Sequence, residues 1–177
     1  MKKDFMKAMF LMLCAVFAFT FTACSDDDDP VDDAATQVAG AYTGTLNVYM
    51  EASGDEPVAT DTKTITLAKN TENSVNLTIQ NFTLAVMGMD VNLGNVLISN
   101  CALAGSNGAY SFSGSTELKG VEVPLTETQS ATIDCTVNFR NATVDGKTLT
   151  LPLTVDDVVL NSLPLNLGIT VNFTGTK

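Results

Sequence analysis

The stretch TIDCTVNFRNATVDGKTLTLPLTV, residues 132–155, decides the fold class of this chain. Apolar residues alternate with polar ones on both sides of an Asp-Gly pair, at Ile133, Cys135, Val137 and Phe139 before it and at Leu149, Leu151, Leu153 and Val155 after it. A period of two is typical of a strand with one buried face. Asp145 and Gly146 suit the centre of a type I′ turn, where both residues need positive φ. The stretch therefore predicts a β-hairpin, and Pro152 on the opposite pleat predicts an exposed edge or irregular pairing.

The same alternation recurs through most of the chain. It is seen at Leu46, Val48 and Met50, at Ile65 and Leu67, at Val75, Leu77 and Ile79, at Tyr110 and Phe112, and at Leu165, Leu167, Ile169, Val171 and Phe173. Between Phe82 and Ile98 the apolar residues are nearly continuous, so the pattern does not fix a register there. No segment predicts a helix of three turns. We expect an all-β domain of about eight strands, or nine if Val121, Val123 and Leu125 form their own.

A short recurrence bears on how the strands are arranged. YTGT at 42–45, FSGS at 112–115 and FTGT at 173–176 share an aromatic residue, a hydroxyl residue, a glycine and a second hydroxyl residue. Glycine in a strand often marks a bulge or a sharp bend, which closure of a barrel requires. Two copies stand at opposite ends of the body, so the first and last strands are expected to be neighbours. A single antiparallel barrel is therefore preferred, with a two-sheet sandwich as the alternative.

The N-terminal segment has the features of a signal peptide. Lys2, Lys3 and Lys7 precede an apolar run from Ala8 to Ala23, which is shorter than the roughly 20 residues that span a membrane. The sequence FTAC before position 25 resembles the lipobox of bacterial lipoproteins, with Phe21 where Leu is usual. This resemblance implies that residues 1–23 are removed and that Cys24 carries the lipid anchor. Residues 24–39 are then an acidic flexible tether, and residues 40–177 are the barrel domain.

An acidic run follows the anchor directly. Ser25, Asp26, Asp27, Asp28 and Asp29 resemble the signal that exports some lipoproteins of gut-dwelling Gram-negative anaerobes to the outer face of the outer membrane. The alternative is a solvated tether that stays extended because its charges repel one another. A calcium loop is unsupported, because the alternating acids, central glycine and distal glutamate of an EF-hand are absent from this sequence.

Short motifs along the body resemble one family. GAYTGTLNVYM at 40–50, NFTL at 81–84, YSFSG at 110–114 and VNFTGTK at 171–177 are similar to the calycin-like β-barrel domain of lipoproteins from gut anaerobes. The resemblance covers residues 38–177 and implies a lipocalin-like barrel. It implies no established activity, and it supplies no catalytic residues. The lipobox and the acidic run, for their part, imply a lipid-anchored protein of the outer membrane that faces the cell exterior.

Composition argues against several classes of function. The chain has 20 acidic and 9 basic residues, a net charge of −11 and no histidine. Nucleic acid is not an expected partner, because the few basic residues are scattered along the chain. The carboxylates that could serve a glycosidase, at Asp156, Asp157, Glu117, Glu122 and Glu127, are interpreted as solvated side chains. We therefore expect no enzyme, no metal site and no cofactor.

Two cysteines remain in the body. Cys101 and Cys135 form a disulfide in an oxidising envelope or serve as small buried core residues, and the sequence leaves both alternatives open.

The function that this interpretation favours is ligand binding. Inward residues at the mouth of the barrel would contact a small apolar molecule, a peptide or a glycan, and the candidates are Tyr42, Leu46, Met50, Val137 and Phe139. For most of these five, ordinary core packing is the expected role. Tyr49 points outward and is the aromatic residue to test for a glycan. The alternative is a non-catalytic structural or accessory domain that meets a protein partner in a surface assembly through its outer faces or an edge strand.

Overall fold

A computed structural model describes residues 32–86, 89–126 and 129–177 of the chain. One short helix, α1 (Ala34–Val38), precedes the strands. The strands are β1 (Gly40–Met50), β2 (Ala59–Thr71), β3 (Ser74–Ile79), β4 (Thr83–Val86), β5 (Met89–Asn92), β6 (Val96–Ala102), β7 (Ala104–Ser106), β8 (Ala109–Thr126), β9 (Gln129–Asp145), β10 (Thr148–Leu160), β11 (Leu163–Leu165) and β12 (Ile169–Thr176). In this part of the chain no helix has the length and apolar character needed to cross a membrane.

The strands form a nearly closed antiparallel barrel. Nine of them follow the order β6-β3-β2-β1-β12-β10-β9-β8-β7, while β11 pairs with β10 and β4 pairs with β5 as a separate hairpin. The barrel nearly closes because β6 also contacts β8. The predicted all-β antiparallel barrel is confirmed. The nine-strand path is close to the expected number, although Val121, Val123 and Leu125 belong to the long strand β8 instead of forming their own.

The interior of the barrel is filled by apolar side chains. The long strands turn alternate residues inward, as in β10, where Leu149, Leu151, Leu153 and Val155 are at most 2% exposed. Among the described residues no polar or charged residue is buried. The rings of Phe112 and Phe139 meet edge to face with centroids 5.5 Å apart, a favourable aromatic geometry. The interior of the barrel is therefore a packed apolar core.

The three glycines of the recurrent motif lie at close approaches. β1 pairs with β12, which confirms that the first and last strands are neighbours, and Gly44 lies directly opposite Gly175. A Cβ at Gly44 would lie 2.0 Å from the carbonyl oxygen of Thr174. A Cβ at Gly114 would lie 2.7 Å from Cγ2 of Ile98, at the seam between β8 and β6. The seam that closes the barrel is thus β6 against β8, while the glycine pair brings β1 and β12 together in the middle of the sheet.

The hairpin turns differ from the expectation in one place. Asp145 pairs with Thr148, so the turn residues after β9 are Gly146 and Lys147, one position later than predicted. Only Gly146 has positive φ, which is typical of a type II′ turn and not of type I′. Type I′ geometry, with two positive φ values, occurs instead at Asn107 and Gly108 and at Asn161 and Ser162.

Two irregularities interrupt the pairing of β9 with β10. The register shifts between Thr150 and Leu153, at Pro152, which cannot donate a ladder hydrogen bond. This confirms the predicted irregular pairing. A second shift lies between Asp156 and Val159, where Asp157 has a φ of 51°. These are β-bulges, which bend a strand and redirect its side chains.

Helix α1 covers the end of the barrel where β1 begins and β12 ends, which we call the base. Ala35 and Val38 are buried in the core, and the Asp33 carboxylate caps the helix by accepting from the Thr36 amide. Nζ of Lys177 donates to the carbonyl oxygens of Gln37 and Ala39. The sequence analysis assigned residues up to 39 to a flexible tether. The structure instead places residues 34–38 in the folded body, because two small apolar side chains there complete the core.

Candidate functional site

Four of the five predicted ligand-binding residues lie in the packed core. Tyr42, Leu46, Val137 and Phe139 are 0%, 1%, 0% and 2% exposed, so their side chains offer no surface to a ligand in this structure. They have the core role that was expected for most of the five. Burial raises the pKa of Tyr42 to about 12, and its hydroxyl donates to the Val38 carbonyl. Met50 differs, since it is half-buried at the opposite end of β1.

The two body cysteines are free thiols and both are buried. Cys101 lies at the β6–β8 seam, where its Sγ would be 3.0 Å from a Cβ at position 114. Cys135 lies on β9 opposite Leu118. Burial, with a smaller contribution from the neighbouring Asp134 carboxylate, raises the pKa of the Cys135 thiol to about 11. Of the two alternatives, the structure has the small core residue and not the disulfide.

Several predicted residues are not brought together. Cys24, Ser25, Asp26, Asp27, Asp28, Asp29 and Glu127 lie outside the described residues. Glu117 forms an ion pair with Lys119 on the outside of β8, and Glu122 is exposed further along the same strand. In the parts of the chain that the structure describes, no group of three or more His, Cys, Asp and Glu side chains could hold a metal ion.

Three adjoining pockets lie at the end of the barrel opposite α1, and Asp156 lines all of them. We call this end the distal end and the joined pockets the distal groove. Their volumes are about 400, 350 and 410 Å³. Residues that line the groove include Tyr49, Met50, Glu51, Asn138, Arg140, Thr154, Asp156, Asp157, Val158, Val159, Pro164, Leu165, Leu167, Gly168 and Thr170.

The second bulge of β10 shapes the middle of the groove. Val155 and Val158 are both buried, and the bulge turns Asp156 and Asp157 between them to the outside. Oδ2 of Asp156 accepts from the Asn138 side-chain amide at 2.9 Å and from the Thr154 hydroxyl at 2.7 Å. These two hydrogen bonds hold the carboxylate in place, so the groove has a negative charge of fixed position.

One side of the groove is built where β1 leaves the sheet. Met50 is the last residue of β1, and the amide of the next residue, Glu51, donates to the Gly168 carbonyl at 3.0 Å. A Cβ at Gly168 would lie 2.8 Å from a Glu51 carboxylate oxygen. The glycine, with a φ of 43°, thus lets the Glu51 side chain lie against the turn before β12.

The opposite side of the groove is apolar. The small hairpin of β10 and β11 brings Val159 opposite Pro164 and Val158 opposite Leu165. Leu163 at the tip is 62% exposed. Sequence reasoning missed this site, because it depends on a bulge and a two-residue turn. One signal was available: Asn161 and Ser162 between short apolar runs are typical of a tight turn.

Comparisons with known proteins identify the fold. A family model described as the calycin-like beta-barrel domain matches residues 38–176. A crystal structure of a candidate outer membrane protein from Bacteroides fragilis NCTC 9343 is similar, with a TM-score of 0.50 and 17% sequence identity. The similarity covers 81% of this chain and 52% of that chain, so this chain spans about half the length of that protein, and the likeness concerns the fold alone. No curated protein sequence matches the chain significantly.

Proposed function

Because the chain belongs to the calycin-like β-barrel domain family, we propose that it is a non-catalytic, lipid-anchored protein of the outer membrane that faces the cell exterior and binds a ligand in the distal groove. The ligand is a small apolar molecule, a peptide or a glycan. The observation that carries this proposal is the set of three pockets of about 350 to 410 Å³ joined at Asp156. Binding pockets of small ligands start at about 300 Å³ and combine apolar walls with a few polar groups.

The position of the groove suits a protein anchored at Cys24. The first described residue, Asp32, follows Cys24 by eight positions, so the intervening chain can span at most about 28 Å. It joins the barrel at the base, through α1. β1 has 11 residues, and with a tilt of about 40° its length corresponds to a barrel height of about 28 Å. An anchor at Cys24 would therefore place the base towards the membrane and the groove away from it.

The alternative function, an accessory domain that binds a protein partner, is favoured by the filled interior. Strand addition is not the route that the described edges support. Along the half of β2 that pairs with β1 but not with β3, Lys63 forms an ion pair with Asp61. Pro164 lies in β11, and Lys119 lies within a bulge of β8. Charges, proline and bulges at the edge strands oppose backbone pairing with another chain. A protein partner would therefore contact side chains and not the backbone of an edge strand.

Native mass spectrometry tests ligand binding. The mature chain carrying Cys24→Ser, which cannot be lipidated, is incubated with an envelope extract of its host, and we expect a reproducible added mass. Thr170 is exposed and lines the groove, so Thr170→Trp should abolish the added mass. Thr174→Trp is the matched control, because Thr174 is exposed on the same strand outside the groove. A folded protein with a clean apo mass, or equal binding by both variants, would contradict the proposal.

Membrane attachment is tested separately. Cys24→Ser in the full chain should release the protein from membranes into the soluble fraction, and retention would refute lipid anchoring. Replacing Asp26, Asp27, Asp28 and Asp29 by Ala should protect the protein from protease added to intact cells. Unchanged digestion would leave the run as a tether without an export role.

A further inference from the structure

The distal groove combines carboxylates with an apolar wall. Glu51, Asp156 and Asp157 line it, and Asp55 and Glu56 follow in the loop after β1. None of the ion pairs found in the described residues includes these five acids. Arg140 also lines the groove, in the pocket on β9 and β10. Three carboxylates and one guanidinium leave the groove with a net negative charge. The carboxylates line the pocket that contains the apolar wall, which Arg140 does not line, so a positive charge is attracted there.

The apolar wall adds a second requirement for the occupant. Val159, Leu165 and Leu167 are half-buried, and Pro164 is exposed. A ligand that covers them must present apolar surface close to its positive charge. Lysine and arginine side chains have this character, because an apolar stem carries a charged head.

The length of the groove indicates how many residues of an extended peptide it can bind. Tyr49, Thr170, Thr154 and Asn138 lie side by side on β1, β12, β10 and β9. Adjacent strands are about 4.8 Å apart, so three steps from β1 to β9 cover about 14 Å. An extended peptide rises about 3.3 Å per residue, so four residues fit this length. The hydroxyl and amide groups of Thr170, Thr154 and Asn138 can exchange hydrogen bonds with a peptide backbone.

We propose that the ligand of the distal groove is an extended peptide segment in which lysine or arginine alternates with apolar residues. This inference rests on the proposed function, since it names the ligand class of the same groove. The charged heads contact Asp156, Asp157 and Glu51, and the apolar residues cover Pro164, Leu165 and Leu167. The net negative charge of the groove disfavours acidic glycans and phosphorylated molecules.

Fluorescence anisotropy with three labelled hexapeptides tests this ligand class. All three alternate leucine with a second residue, which is lysine, glutamine or glutamate. The lysine peptide should bind the mature Cys24→Ser chain at least about tenfold more tightly than the glutamine peptide, and its binding should weaken as salt shortens the range of electrostatic attraction. The glutamate peptide should not bind. Equal binding of the lysine and glutamine peptides would overturn the inference.

Two double variants with the same change in net charge test whether Asp156 and Asp157 bind the lysine peptide. The double variant Asp156→Asn with Asp157→Asn keeps, at each position, an oxygen that accepts hydrogen bonds. It should lower the affinity for the lysine peptide at least about tenfold. The control is Glu72→Gln with Glu122→Gln, which makes the same change in net charge at exposed positions outside the groove and should leave affinity within about twofold. Circular dichroism verifies that each variant is folded. Equal affinities of the two double variants would overturn the assignment to Asp156 and Asp157.

The two proposals fail in distinguishable ways. If Thr170→Trp abolishes binding of the glutamine peptide or of a neutral oligosaccharide, while the charge variants have no effect, the groove is a binding site but its ligand is not cationic. If the lysine peptide binds equally to the unmodified groove, to Thr170→Trp and to both charge variants, the groove is not its site and the inference fails. The proposed function fails as well only if the added mass from the envelope extract also persists in Thr170→Trp.

Discussion

Substitution of Gly44 by alanine tests whether the glycine pair lets β1 and β12 approach. The added Cβ would lie 2.0 Å from the Thr174 carbonyl oxygen and 2.3 Å from the Cα of Gly175. Ordinary contacts between heavy atoms are about 3.5 Å, so β12 must move by more than about 1 Å. Both obstructing atoms belong to the backbone, and a change of rotamer cannot relieve the contact.

The expected loss of stability follows from this displacement. Overpacking a well-filled site costs about 1–3 kcal/mol, and two ladder hydrogen bonds beside Gly44 contribute about 1 kcal/mol each. The free energy of unfolding should therefore fall by about 3–5 kcal/mol, a large part of the 5–15 kcal/mol that is typical of a domain. For a domain of this size, about 3 °C is lost per kcal/mol, so the melting temperature should fall by about 10 °C or more.

Thermal unfolding followed by circular dichroism provides the measurement. Gly54→Ala is the control, because no atom lies within 4 Å of its Cβ position although its φ is 67°. Its φ of 67° with a ψ of −140° is a conformation that is nearly restricted to glycine, and alanine there should cost about 1–3 kcal/mol. Gly114→Ala meets side-chain atoms of Ile98, Cys101 and Phe139, and it should fall between the other two. If Gly44→Ala melts within about 3 °C of Gly54→Ala, the close-approach argument is wrong.

Two further predictions follow from buried ionisable groups. The pKa values of Tyr42 and Cys135 are raised to about 12 and about 11, so the folded state binds their protons more tightly than the unfolded state does; the stabilisation that these two groups contribute should be constant below about pH 8.5 and should be lost as pH rises from about 9 to 12, by at most about 1.4 kcal/mol per pH unit for each group. Denaturant melts at pH 8 and 10.5 measure this loss, and in Cys135→Ala it should be smaller, whereas an unchanged loss would contradict the assignment. Cys101 and Cys135 should be unreactive towards a thiol reagent in the native mature Cys24→Ser chain and should both react after unfolding without a reductant; two thiols missing after unfolding would indicate a disulfide instead.

The strands could be predicted wherever one face of a segment is buried and the other is exposed to solvent. Leu149, Leu151 and Leu153 show this, because a sheet that covers a core must turn every second residue inward. The closeness of β1 and β12 was predictable for a different reason, since Gly44 and Gly175 are required by backbone contact. Between Phe82 and Ile98 the same reasoning did not work. There the apolar run continues through the hairpin of β4 and β5, and an alternating pattern is lost.

The candidate site was harder to predict because it depends on local irregularities. Tyr42, Leu46, Val137 and Phe139 were predicted to face inward, and they do, but periodicity cannot tell a filled interior from a cavity. Helix α1 was assigned to the tether because its composition resembles a linker. Its contribution to the core arises from Ala35 and Val38 meeting the base, which is a tertiary contact that sequence patterns do not encode.

The β-bulge at Asp157 explains how the groove can be acidic without weakening the core. In a regular strand the inward positions after Val155 would be 157 and 159, so the side chain of Asp157 would enter the apolar interior, where a lone carboxylate is strongly unfavourable. The bulge restores an inward position at Val158 and leaves both Asp156 and Asp157 exposed. It requires positive φ at a non-glycine residue, and aspartate tolerates this conformation better than most residues. The same irregularity that hid the groove from sequence patterns therefore places two adjacent carboxylates beside the apolar wall.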